Sequence, residues 1–108
     1  MENSRPPLNK GMLLTKSHLI GEQVKDFLGP EMVECRTPEI WEEFLMDYLL
    51  ENSLSLLLES EEEGWASEII DHMYGGMRTA LLEMAGMGAG PLMETLFRVR
   101  VKVSRMLV

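Results

Sequence analysis

Glu68 and His72 come closest, among the residues of this chain, to the types and spacing that metal chemistry requires. Four apart on a helix, a carboxylate and an imidazole share one face and could both reach one cation. Helical di-iron sites use a different pattern, Glu-x-x-His three apart and in duplicate. The only other histidine, His18, is remote in sequence. A solvated polar face accounts for the pair, and neither a metal nor any other cofactor is expected. Cys35 is the only cysteine and sits between Glu34 and Arg36 with no histidine nearby. A nucleophile needs an activating base, so Cys35 reads as a half-buried structural thiol.

Other chemistry-bearing patterns fall short in the same way. Carboxylates are plentiful, but a catalytic pair needs environments that push its two pKa values apart. The run Ala85-Gly86-Met87-Gly88-Ala89-Gly90 has three glycines, yet its spacing fits neither a P-loop nor a dinucleotide fingerprint, and no Lys-Ser follows. It reads as a flexible connector. Ser60, followed by Glu61, Glu62 and Glu63, resembles an acidophilic kinase site. No serine stands in a nucleophile-elbow setting. A non-enzymatic protein is therefore the expected reading.

Composition narrows the class. The 108 residues suffice for one domain with a small core, which oligomerisation would help to complete. A hydrophobic content of 45% excludes a chain disordered throughout. The ten methionines serve either as adaptable core filler or as a methionine-lined groove, with core filler the simpler reading. The net charge of −8 is unevenly spread: residues 22–71 hold fifteen acids against Lys25 and Arg36, whereas residues 91–108 hold Arg98, Arg100, Lys102 and Arg105 against Glu94. The acidic middle repels phosphates, so nucleic acid is not an expected partner. No apolar run is long enough for a membrane span. The single cysteine and the absence of a signal-peptide layout suggest an intracellular protein, cytoplasmic or nuclear.

The elements that would position these residues are helical. Residues 1–11 read as a flexible polar tail and 12–108 as a single helical domain. Leu13, Leu14, Leu19, Ile20, Val24, Phe27 and Leu28 follow helical spacing, with Ser17 a plausible N-cap. Gly29-Pro30 ends or kinks that run. Thr37-Pro38 is the clearest helix start in the chain: a hydroxyl cap, then proline at the first helical position, with Glu39 near the positive end. Ile40, Trp41, Phe44, Leu45, Tyr48 and Leu49 then cover about half of the helix circumference, and Glu43, Asp47 and Glu51 form a separate stripe. Asn52-Ser53 either ends this helix or weakens it. The acidic run 59–64 is a loop or the frayed end of a long helix. Trp65 to Met84 is the next helix, in which Gly75-Gly76 is either a break or a place of close backbone approach. Residues 91–107 alternate like a strand at Phe97, Val99, Val101 and Val103. They also carry a helical stripe of Leu92, Leu96, Val99, Val103, Met106 and Leu107. Pro91 and Glu94 favour helix.

Residues 19–52 resemble the dimerisation-docking helix pair of the RIIα/Dpy-30 family. Arg36-Thr37-Pro38 supplies the turn, and Trp41-Glu42-Glu43-Phe44-Leu45-Met46-Asp47-Tyr48-Leu49-Leu50 supplies the second helix. Gly29-Pro30 departs from the pattern, and one inserted residue is needed between Arg36 and Phe44. The resemblance implies a dimeric four-helix bundle with a shallow apolar groove for an amphipathic helix of a partner. It implies that Val24, Phe27 and Leu28 line the groove or dimer seam, and that Phe44, Leu45, Tyr48 and Leu49 hold the bundle.

The expected fold is all-α, a small bundle of about four helices. The expected function is a helical protein–protein interaction module, a dimerisation, docking or adaptor unit that binds helices of itself or of another protein. A small acidic chaperone or assembly factor is the second reading, and a small helical enzyme or metal carrier the third. Trp41, Phe44, Tyr48 and Trp65 are the candidate anchors, because large aromatics dominate such interfaces.

Overall fold

Asn9 starts the first helix. Its backbone is extended and its side-chain oxygen accepts from the Met12 amide at 3.2 Å, so α1 runs Lys10–Glu22. The cap therefore lies eight residues before Ser17, the cap expected from sequence. Ser17 is instead buried inside the helix, where its hydroxyl donates to the Leu13 carbonyl at 2.8 Å. Leu13 continues the apolar stripe N-terminal to Ser17, and burying it extends the helix. At its other end α1 tightens into a 3₁₀ turn, Gln23–Phe27. The computed structural model describes residues 9–27, 38–85 and 90–108. Leu28, Gly29-Pro30, Cys35 and Thr37 lie outside the described residues.

Helix α2 is one unbroken run, Pro38–Ser60. Asn52 and Ser53 do not end it. The Asn52 side-chain amide donates to the Tyr48 carbonyl at 2.8 Å, and buried Ser53 points its hydroxyl at the Met73 sulfur, 3.8 Å away. The helix stops where local geometry stops it. Ser60 donates to the Leu57 carbonyl at 2.8 Å and accepts from the Glu62 amide at 3.1 Å. Glu61 takes a left-handed conformation, φ 58°, and its amide returns to the Leu57 carbonyl at 3.0 Å. This is a left-handed C-terminal cap made without glycine.

A 3₁₀ turn, Glu63–Trp65, leads into α3, Ala66–Ala85, which continues straight through Gly75-Gly76. The last helix, α4, spans Gly90–Leu107. Leu92, Leu96, Val99 and Val103 are buried, while Phe97 is exposed and Val101 half-buried. A strand would have put Phe97, Val99, Val101 and Val103 on one face, so burial follows the 3.6-residue period.

The four helices share one core and the described residues hold no strand. Trp41, Leu45, Leu49 and Leu56 enter it from α2, Ile69, Ile70, Met73, Met77, Ala80 and Leu81 from α3, and Leu13 from α1. Met73 and Met77 serve as core filler. Helix α1 packs most extensively on α3, and Gly21 and Gly76, both buried, lie in the seam. A Cβ on Gly21 would overlap the Met73 carbonyl oxygen and stand 2.9 Å from the Met77 nitrogen. A Cβ on Gly76 would overlap the His18 carbonyl oxygen and stand 2.8 Å from the Glu22 nitrogen. Gly76, but not Gly75, is thus a place of close backbone approach inside a continuous helix.

Candidate docking cleft

The oily half-face of α2 divides in two. Its inner stripe, Trp41, Leu45 and Leu49, is buried in the chain's own core, and so is Val24 of the 3₁₀ turn. Its outer stripe remains accessible: Ile40 is 47% exposed, and Phe44 and Tyr48 are half-buried. Beside it the 3₁₀ turn presents Phe27, 63% exposed. The Phe27 and Tyr48 ring centroids are 5.7 Å apart at an interplanar angle of 55°, and those of Phe44 and Tyr48 are 6.3 Å apart at 27°. Both separations lie in the range of favourable aromatic pairs. Together with Ile20 these rings line a cleft of about 510 Å³ whose polar border is Gln23, Asp47, Glu51 and Asn52.

Tyr48 fixes the cleft's floor. Its hydroxyl donates to the Ile20 carbonyl at 2.6 Å, joining α2 to the last turn of α1. Burial, with the nearby Asp26 carboxylate adding to it, pushes the Tyr48 phenol above its ordinary pKa, so it remains a protonated donor at neutral pH.

The sequence-predicted residues separate accordingly. Phe27, Phe44 and Tyr48 come together at the cleft. Val24, Trp41, Leu45 and Leu49 are buried in the chain's own core and do not line it. Leu28 lies outside the described residues. Trp65 is elsewhere, half-buried at the start of α3 with the Lys10 ammonium 5.7 Å from its ring centroid. Ile20 was not singled out from sequence as a cleft residue. Its apolar spacing marked it only as part of a helix face.

Comparison with family models, curated proteins and solved structures finds no match. The chemistry must be argued from these residues alone. Away from the cleft, charges pair between helices. Glu42 lies against α4, where Lys102 donates to one carboxylate oxygen and Arg98 Nη2 stands 3.5 Å from the other. The Lys102 hydrogen bond, with the charges of Lys102 and Arg98, holds the Glu42 carboxyl below its ordinary range. Arg100 pairs with Asp71 at 2.7 Å, and Lys16 with Glu59 at 3.3 Å. The basic end of the chain thus meets the acidic middle, but Arg98 and Lys102 reach Glu42 and not the Glu43, Asp47, Glu51 stripe.

The metal pattern does not assemble. Glu68 is engaged by Lys10 at 2.5 Å, and His72 Nδ1 lies 2.9 Å from the Glu68 carbonyl oxygen. His18 and His72 border one shallow groove with Leu14 and Leu19. Among the described residues no group of three His, Cys, Asp or Glu side chains could hold a metal ion. Likewise, no described helix is long and apolar enough to cross a membrane.

Proposed function

We propose that this chain is a non-enzymatic helical docking module that receives an amphipathic helix in the cleft between the end of α1 and the outer stripe of α2. The observation that carries the reading is the ladder Phe27, Tyr48, Phe44. Three aromatic rings lie side by side, Phe27 tilted against Tyr48 and Phe44 stacked on it, with Phe27 63% exposed, although the same chain buries a full apolar core elsewhere. Exposed aromatics next to half-buried ones mark a surface where added burial is strongly favourable, at roughly 25 cal/mol per Å² of apolar area. Helix-in-groove recognition uses such surfaces, with apolar anchors at one-turn intervals. The reading agrees with the apolar groove that the RIIα/Dpy-30 resemblance implies. It does not require the dimeric bundle, because Leu45, Leu49 and Val24 already face the chain's own core.

A displayed library of helical peptides tests this. The wild-type chain should select amphipathic sequences, and Phe27→Ser should abolish the selection while leaving the circular dichroism spectrum unchanged. Failure to enrich any sequence, or equal enrichment by the Phe27→Ser variant, would refute the docking role.

A further inference from the structure

The partner's charge can be read from the cleft's border. The cleft-side residues of α2 are Phe44, Asp47, Tyr48, Glu51 and Asn52, so two carboxylates flank the aromatic floor one helical turn apart. Asp26 stands beside Tyr48, close enough to act on its phenol. Helix α2 contains no lysine or arginine at all, and Lys25 is the lone cation of the adjoining 3₁₀ turn. The acids of α2 that face other helices, Glu42 and Glu59, each have a basic partner. Among the described residues, Asp26, Asp47 and Glu51 have no cation within ion-pair distance.

We infer that the helix received in the cleft is cationic: an amphipathic segment of another protein that sets apolar side chains on Phe27, Phe44 and Tyr48 and two Lys or Arg residues, four apart, against Asp47 and Glu51. The inference rests on the docking reading and adds the chemistry of the occupant. Positions four apart on a helix rise about 6 Å, so a cation pair at that spacing follows the Asp47–Glu51 pair along α2. Opposite charges at the rim steer encounter and reject wrong partners. A second copy of this chain is disfavoured on the same grounds. Two-fold pairing of the clefts would set Asp47 and Glu51 against their own counterparts. The most basic of the described helices, α4, already commits Arg98 and Lys102 to Glu42 and Arg100 to Asp71.

The experiment uses two labelled model helices of equal length and leucine pattern, one with lysine and one with glutamate at every polar position, titrated by fluorescence anisotropy. The lysine helix should bind at least about tenfold more tightly than the glutamate helix, a gap of about 1.4 kcal/mol. Raising the salt should narrow that gap. The double variant Asp47→Lys/Glu51→Lys should erase the preference, whereas Glu62→Lys/Glu63→Lys, the same charge change on the exposed turn before α3, should leave it in place. Equal affinity for both helices, or equal losses from the two double variants, would overturn the cationic inference and leave docking standing. Binding of neither helix would overturn both, and a species of twice the chain mass in that case would give the cleft to a second copy.

Discussion

Gly21 of α1 packs on the Met73 and Met77 backbone of α3 and Gly76 of α3 on the His18 and Glu22 backbone of α1, each standing where any side chain would strike the other helix's main chain. Ser17 and Ala80, one turn from them on the same helix faces, are small and buried as well. The contact holds α1, and with it Ile20 and the Phe27 turn, at a fixed distance from the core. The cleft depends on it indirectly, since a displaced α1 would lose the Tyr48–Ile20 bond.

Gly21→Ala and Gly76→Ala should each cost about 1–3 kcal/mol through overpacking against rigid backbone. The neighbouring Gly75→Ala should have the opposite sign, because its Cβ would lie 3.7 Å from His18 Nδ1, an ordinary contact. There the gain in helix propensity, up to about 1 kcal/mol, should prevail. Urea denaturation of the three variants checks the contrast, and wild-type stability in Gly76→Ala would contradict the close approach.

Tyr48→Phe removes the hydroxyl that donates to the Ile20 carbonyl. Loss of about 1 kcal/mol is expected, together with weaker peptide binding, because the cleft floor loosens. The Tyr48 pKa is raised in the folded state, first by burial and then by Asp26. Its contribution is therefore fully present below the unfolded tyrosine value, about 10, and is lost as pH rises through the higher folded value. Stability of the wild type relative to Tyr48→Phe, measured between neutral pH and pH 11, should shrink only at the alkaline end.

Glu42 gives the reverse dependence. Its folded pKa is lowered by the Lys102 hydrogen bond and the charges of Lys102 and Arg98. The stabilisation is present above the unfolded glutamate value, about 4.3, and fades as pH falls through the lower folded value. Glu42→Gln should be less stable than wild type at pH 7, and the difference should narrow under acid and in high salt. A difference that is constant from pH 7 to pH 3 would argue against the ion pairs.

At the end of α2, Glu61 holds φ 58° without the freedom of glycine. Glu61→Gly should relieve the strain and stabilise by about 1 kcal/mol. Thermal melts of the pair would register the gain, and a lower melting temperature for Glu61→Gly would dispute it.

Much of the helical framework is legible in the sequence. Pro38 opens α2 as its position after Thr37 suggested, and the Leu92, Leu96, Val99, Val103 stripe decided helix over strand for α4. The N-cap of α1 was misplaced because Asn9 and Ser17 are both good caps in isolation. Only the burial of Leu13 chooses between them. Charge order along the chain sets a basic end against an acidic middle without saying which acids meet it, and α4 pairs with Glu42. One residue on a helix turns the side chain by about 100°, and crossing geometry, which spacing does not encode, selects the face.

Local spacing by itself determined that this chain is all-α, with an acidic middle and a basic end, because helical period and charge order are properties of neighbours along the chain. Only the tertiary structure decided which part of the α2 oily face stays accessible. The period of Ile40, Trp41, Phe44, Leu45, Tyr48 and Leu49 defines an apolar arc about half a turn wide, but not how much of it the other helices cover. Packing into the shared core buries Trp41, Leu45 and Leu49. The glycine seam then sets α1 where Ile20 and Phe27 meet Phe44 and Tyr48 to form the cleft.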